Sequence, residues 1–310
     1  MRSRPSVGRG VHPPQSAVGR GKDLVARSIA GVLLPLVLFA APAAHAQDHA
    51  PDIGRRISSE AAVDDGYACP PVPDALVRHR ATSELPPPPP TAADLAAYHA
   101  YVALLQANDW GFLCRYRDEN RLLANEPHPR VVLIGDSITE NWKQRDAGLF
   151  VDGIVDRGIG GQTSPQMLLR FAQDVIALHP GVVQIMAGIN DIAENTGPMS
   201  DIQYQENIRG MVTLARANGI KVILASILPA RAFPWKPALR PAQRIMRWNA
   251  WLRRYADAEG LVFVDYYAVM VDVQGGLRPD YDSDGVHPSH AGYQRMDPLF
   301  EQALARAERR

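Results

Sequence analysis

Ser137 is the last residue of the tripeptide Gly135-Asp136-Ser137, which follows a short apolar run. The four residues before that tripeptide are apolar and three of them are β-branched, which is typical of a buried strand of a parallel sheet. The residues after it indicate a helix. A serine at such a turn lies at the carboxyl edge of the sheet, and its amide belongs to a helix N-terminus that favours negative charge. Ser137 is therefore a candidate nucleophile, although Gly, Asp and Ser are also ordinary turn residues.

His287 is the candidate base, because a serine hydroxyl is a weak nucleophile until a base takes its proton. Asp284 precedes it by three residues, close enough for one turn to place the carboxylate on the imidazole Nδ1. That hydrogen bond would fix the tautomer with Nε2 free to face Ser137. The alternative is a capping aspartate beside a surface histidine.

Acyl transfer also needs hydrogen-bond donors for a developing oxyanion. The Ser137 amide is one candidate donor, the Gly161 amide a second, and the Asn190 side-chain amide a third. Each has a plainer explanation, since glycines suit any tight turn and Asn-Asp is common turn chemistry.

Metal chemistry is not indicated. Residues 280–285 are similar to the start of an EF-hand loop, but its twelfth position would be Ala291, where that loop needs a bidentate Glu. The only cysteines, Cys69 and Cys114, have no further ligands at zinc spacing. If the chain is exported they are a candidate disulfide, and the alternative is two unrelated buried thiols.

Strands and helices alternate along residues 127–310, which predicts an α/β fold with helices on both faces of a parallel sheet. Five strands with right-handed crossovers favour the flavodoxin-like order 2-1-3-4-5, and its switch point lies between the first and third strands. Predicted strands are Val131–Ile134, Ile154–Arg157, Val182–Met186, Lys221–Ala225 and Leu261–Val264. Predicted helices are Pro165–Leu178, Ile202–Ala217, Ala242–Glu259 and His290–Arg309.

Residues 1–46 have the order of a secretory signal peptide: a basic stretch, an apolar run and a small-x-small site ending at Ala46. We expect cleavage after Ala46 and an exported, periplasmic or secreted protein. A membrane anchor is the alternative, but the apolar run is short and contains Pro35 and Pro42. The long basic segment also leaves room for a true start codon downstream of Met1.

Residues 47–90 are proline-rich and end in five successive prolines, which predicts a stiff polyproline spacer. Residues 91–126 predict a helical segment, with Thr91 and Asp94 as a capping box. Its apolar stripe of Leu95, Tyr98, Val102 and Leu105 is expected to pack on the main domain. Lys plus Arg equals Asp plus Glu at 33 each, so bulk charge favours neither nucleic acid nor an anionic membrane as partner.

The ordered blocks of residues 130–300 resemble the SGNH (GDSL) family of serine esterases and lipases. The four blocks are Gly135-Asp136-Ser137, Gly160-Gly161, Gly188-Ile189-Asn190-Asp191 and Asp284-Gly285-Val286-His287-Pro288. The surroundings of these blocks look most like the platelet-activating-factor acetylhydrolase branch and related bacterial carbohydrate esterases. The resemblance implies the three-layer SGNH hydrolase fold over residues 127–310.

By the same resemblance, Ser137 is the nucleophile, His287 the base and Asp284 its orienting partner. Ser137, Gly161 and Asn190 would form the oxyanion hole, and no metal or organic cofactor is required. Candidate substrate contacts are Asp136, Gly160, Ile189, Phe233, Trp235 and Val286. We expect an exported acetylesterase that acts on an acetylated carbohydrate. Alternatives are a lipase, lysophospholipase or arylesterase for longer acyl chains, and a non-catalytic carbohydrate-binding envelope protein.

Overall fold

A computed structural model describes residues 69–74, 76, 77 and 91–310. The expected signal peptide and most of the proline-rich extension lie outside these residues. A five-stranded parallel sheet runs in the order β2-β1-β3-β4-β5, which confirms the predicted topology. Its strands are β1 (Val131–Gly135), β2 (Ile154–Gly158), β3 (Val182–Met186), β4 (Lys221–Ala225) and β5 (Val262–Val264).

Helices connect these strands and cover the sheet on both faces, as the α/β prediction requires. In chain order they are α1 (Ala92–Asn108), α2 (Arg117–Leu123), α3 (Ser137–Arg145), α4 (Ser164–Asp174), α5 (Ile189–Ile192), α6 (Asp201–Ala217), α7 (Ala242–Ala258), α8 (Tyr266–Met270) and α9 (His290–Glu308). Among the described residues no helix is both long and apolar enough to cross a membrane.

Strand register brings the first three strands to a common end. Gly135, the last residue of β1, pairs with Gly158 of β2 on one side and Met186 of β3 on the other. All five residues of β1 and of β3 are buried, because both faces of a central parallel strand are covered by helices. The loops after the three strands therefore leave the same edge of the sheet side by side.

Gly158 allows α3 to pass close over the end of β2. A Cβ on this residue would lie 2.1 Å from the Glu140 backbone nitrogen, a distance that no side chain tolerates. Trp142 holds the other end of α3, since its indole Nε1 donates to Asp297 of α9 at 2.9 Å and its ring stacks on Tyr293. These contacts place the helix that begins at Ser137 against the helix that follows His287.

Residues 91–130, which precede β1, belong to the same compact unit as the sheet. A disulfide joins Cys69 to Cys114. Tyr116 is buried between the guanidinium groups of Arg115 and Arg157, and its hydroxyl donates to the Gly158 carbonyl at 2.5 Å. The residues just ahead of α2 therefore lie along the outer edge of β2.

The structure corrects two details of the predicted elements. The capping box of Thr91 and Asp94 is present, but α1 buries Tyr101 and Leu105, whereas Leu95 and Tyr98 of the expected stripe are exposed. Many residues of α1 are alanines, so its apolar residues are not confined to one face of the helix. The helix predicted to end at Leu178 ends at Asp174, where Val175 leaves the helical conformation and a 3₁₀ turn follows.

Candidate active site

Ser137 is the first residue of α3, immediately after β1. Asp136 caps the helix by accepting a hydrogen bond from the Ile138 N–H at 2.9 Å. The N–H groups of a first helical turn have no partner within the helix and carry the positive end of its dipole. Backbone donors and a hydroxyl therefore converge at the end of the central strand.

His287 reaches Ser137 from a loop 150 residues further along the chain. Its Nε2 lies 2.8 Å from the Ser137 Oγ, and its Nδ1 lies 2.7 Å from Asp284 Oδ2. Asp284 Oδ1 accepts from the backbone N–H groups of Val286 and His287, which fixes the carboxylate beside the ring. Because an ionised carboxylate only accepts, Nδ1 carries the proton and neutral Nε2 can accept from the serine hydroxyl.

The carboxyl groups at this edge of the sheet differ in their electrostatics. Burial opposes the ionisation of Asp284, but the hydrogen bond and charge of His287 and the two backbone donors outweigh it and lower its pKa to about 2. For Asp136, burial dominates over the Ile138 hydrogen bond and raises the pKa to about 7. Burial likewise raises the pKa of Asp191 to about 6, against the hydrogen bonds from Ser164. Asp284 is thus the carboxylate suited to hold a charged imidazolium.

Gly161 and Asn190 lie just after β2 and β3, the two strands that pair with β1. Gly161 has a φ of +77°, a conformation that favours glycine, and its N–H has no hydrogen-bond partner among the described residues. The neighbouring Gly160 N–H donates to Glu140 at 2.8 Å and is already occupied. Asn190 lies in the one-turn helix α5, and its Nδ2 donates to the Gln162 carbonyl at 3.1 Å.

The predicted substrate contacts divide by exposure. Phe233 is fully buried and stacks against Trp235, with 5.3 Å between the ring centroids, so its contact with a substrate stays a prediction. Trp235 itself is 45% exposed. The structure also buries Asp136, which caps a helix, and Ile189 and Val286, which pack in the core. In the sequence, an apolar or capping residue that lines a cleft cannot be distinguished from one that packs inside the fold.

Sequence reasoning missed three supports of this site. Glu140 anchors the Gly160 amide and pairs with Arg115 at 3.2 Å. Arg170 donates to the Gly135 carbonyl and to the Gln162 side chain from a fully buried position. Asn195 donates to Asn190 at 2.8 Å. The sequence does hint at the buried role of Arg170, because this charged residue stands next to Phe171 on the apolar face of its helix.

Metal ligation finds no support in the described residues, where no group of three or more His, Cys, Asp and Glu side chains is placed to hold an ion.

Comparison with known proteins gives a family for this arrangement. The model of the GDSL-like lipase/acylhydrolase family matches residues 133–295. The crystal structure of a GDSL-like lipase from Bacteroides thetaiotaomicron is 45% identical and superimposes with a TM-score of 0.62, covering 64% of this chain and 100% of that chain.

Two curated proteins are more distant relatives. An acetylxylan esterase of Geobacillus stearothermophilus is 26% identical over 204 residues, which are 55% of this chain and 91% of that protein. An uncharacterised lipoprotein of Bacillus subtilis is 36% identical over 117 residues, 32% of this chain. The chain spans about half the length of that lipoprotein, since the match covers 48% of it.

Proposed function

We propose that this chain, a member of the GDSL-like lipase/acylhydrolase family, is a carboxylic ester hydrolase of a particular kind: an exported acetylesterase that uses Ser137, His287 and Asp284 as a catalytic triad. One observation carries the proposal above all others. The Ser137 hydroxyl, both nitrogens of His287 and the Asp284 carboxylate form one hydrogen-bonded row, with spacings of 2.8 and 2.7 Å. A binding module has no need of such a row.

The reaction follows from the polarity of that row. His287 Nε2 takes the hydroxyl proton as Ser137 Oγ attacks the ester carbonyl, and the imidazolium is stabilised by the Asp284 carboxylate. The same proton passes to the departing alcohol, which leaves an acyl-enzyme. His287 then takes a proton from water as the water oxygen attacks the acyl carbonyl. The tetrahedral adduct collapses with loss of the bond to Ser137 Oγ, which takes the proton back from His287, and the acid is released.

Three donors support an oxyanion hole in this proposal. The N–H groups of Ser137 and Gly161 and the Nδ2 of Asn190 belong to three adjacent loop ends, so their N–H bonds can meet on one oxygen. Loss of one such donor in serine hydrolases lowers kcat by roughly 10² to 10³. We expect a loss of that size for Asn190→Ala.

An acetylated carbohydrate is the substrate class that we propose. The relative named acetylxylan esterase aligns over most of its own length, and the exposed face of Trp235 offers an aromatic platform of the kind on which sugar rings stack. Export is supported by the Cys69–Cys114 disulfide, since such bonds persist in oxidising compartments, and by the relative described as a lipoprotein. We place the mature start after Ala46, and Edman sequencing of protein secreted by the native host would test that position.

The test is hydrolysis of p-nitrophenyl acetate, butyrate and octanoate, and acetate release from acetylated xylan. Ser137→Ala should lower kcat by about 10³-fold or more, whereas Ser283→Ala, an exposed serine near His287, should retain it. Activity that survives Ser137→Ala would refute the triad. A preference for octanoate over acetate would refute the acetyl assignment and favour a lipase-like enzyme.

A further inference from the structure

We propose that Asn195 is a positioning residue that sets the orientation of the Asn190 carboxamide, as the middle member of a hydrogen-bonded relay from Trp235. The inference rests on the proposed role of Asn190 in the oxyanion hole. Trp235 Nε1 donates to Asn195 Oδ1 at 3.2 Å, Asn195 Nδ2 donates to Asn190 Oδ1 at 2.8 Å, and Asn190 Nδ2 donates to the Gln162 carbonyl at 3.1 Å.

The direction of the relay is determined at both ends. An indole N–H can only donate and a backbone carbonyl can only accept. Trp235 therefore requires the oxygen of Asn195 to face it, and Gln162 requires the nitrogen of Asn190 to face it. Two carboxamides between such ends have one arrangement in which every contact is a hydrogen bond. The fixed donor of Trp235 and the fixed acceptor of Gln162 therefore determine which end of each carboxamide is oxygen and which is nitrogen.

The orientation of Asn190 matters because a carboxamide presents opposite partial charges at its two ends. With Nδ2 on the side of Gln162, its second N–H remains for an oxyanion. The reversed amide would present Oδ1, which repels a negative oxygen. Asn190 is buried, so water cannot replace a lost partner cheaply. Among the described residues, Asn195 is the donor to Oδ1, so its side chain favours the productive orientation from that end.

Asn195 also contacts the other flank of the proposed hole. Its Nδ2 lies 3.4 Å from the Gly161 carbonyl, so one amide group spans the loops after β2 and β3. The loop that carries it is held independently, since the Asn195 N–H donates to the Asn190 carbonyl at 3.1 Å and Lys236 Nζ donates to the Glu194 carbonyl at 2.7 Å. A substitution of the side chain can thus change the relay while the loop keeps its other anchors.

Asn195→Asp is the informative variant, because it keeps the shape of the side chain and replaces the Nδ2 donor by an oxygen. That oxygen would face Asn190 Oδ1 and the Gly161 carbonyl, which are both acceptors. We expect kcat for p-nitrophenyl acetate to fall by about 10- to 100-fold, bounded by the loss for a whole oxyanion donor, with KM little changed. Trp235→Phe keeps a ring but removes the outer donor and should lower kcat less. Lys236→Met, which removes a loop anchor outside the relay, should lower thermal stability and leave kcat near that of the parent protein.

A double-mutant cycle separates positioning from loosening of the loop. In an Asn190→Ala background, Asn195→Asp should have almost no further effect on kcat, because no carboxamide remains to orient. An equal loss in both backgrounds, or no loss in the parent background, would overturn the relay while leaving the triad intact. If Asn190→Ala itself leaves kcat unchanged, the oxyanion role fails instead, and the relay fails with it.

Discussion

Asp156 is a buried carboxyl whose ionisation opposes the folded state. It is buried in the middle of β2, and burial raises its pKa to about 7 even though its carboxyl accepts from the Gly158 N–H. The unfolded value is near 3.9. A raised pKa in an acid means that its contribution to stability is complete below about pH 4 and is lost as pH rises towards 7.

Asp156→Asn should therefore flatten the pH dependence of unfolding. The amide keeps an oxygen for the Gly158 N–H and offers a donor to Tyr116, as the protonated acid would. At about 1.4 kcal/mol per pKa unit, the gain over the parent protein should reach a few kcal/mol near pH 8 and vanish near pH 4. Thermal unfolding at several pH values measures this difference, with exposed Asp118→Asn as the control for lost charge. Parallel pH profiles for the parent and the Asp156 variant would contradict the prediction.

Helix α4 connects to the sheet through Arg170, which is fully buried beside Asp174. Its guanidinium donates to Asp174 at 3.0 Å and to the carbonyls of Gly135 and Arg157 at 3.0 and 2.8 Å. Removing one member of a buried ion pair leaves the other without compensation, which costs about 3–5 kcal/mol.

Arg170→Met should lower the free energy of unfolding by that amount, measured by urea denaturation at pH 7. The double variant Arg170→Met/Asp174→Leu removes both charges and should recover part of the loss. A double variant less stable than the single one by the full cost of Asp174→Leu alone would show that the two side chains are not coupled.

How far the sequence predicts this molecule also depends on the kind of element. Strands such as Val131–Gly135 are predicted to within a residue, because continuous apolar runs between turns admit few interpretations. The proximity of Ser137 and His287, 150 residues apart, follows from family motifs and switch-point topology. Short helices such as α5 and α8 were not predicted, since their formation depends on tertiary contacts. Asn195 and Glu140 could not be identified, because a polar residue near a site reveals its partner only through the folded path.

At the scale of the whole molecule, the Cys69–Cys114 disulfide links two residues that are 45 positions apart, both ahead of the sheet. Closing a loop of that length should stabilise the fold by about 4 kcal/mol in the chain-entropy view. Cys69→Ser/Cys114→Ser should therefore lower the melting temperature, and a reductant should lower that of the parent protein to the same value. The segment around residue 114 keeps its contacts with Asp109, so kcat of the folded variant should be retained. A parent protein whose melting is indifferent to reductant would contradict this view.

The position of Tyr116 and Asn120 beside β2 has a consequence for how copies of the chain meet one another. β2 is an outer strand of the sheet, and such strands offer unpaired backbone groups to any neighbouring molecule. The Tyr116 hydroxyl donates to the Gly158 carbonyl, and Asn120 Oδ1 accepts from the Arg157 guanidinium. The last residues of β2 therefore contact their own chain instead of solvent. A polypeptide trimmed to the family-matched residues 133–295 would lack this cover. We therefore expect the segment that carries Tyr116 and Asn120 to hinder pairing of β2 with a second copy of the chain.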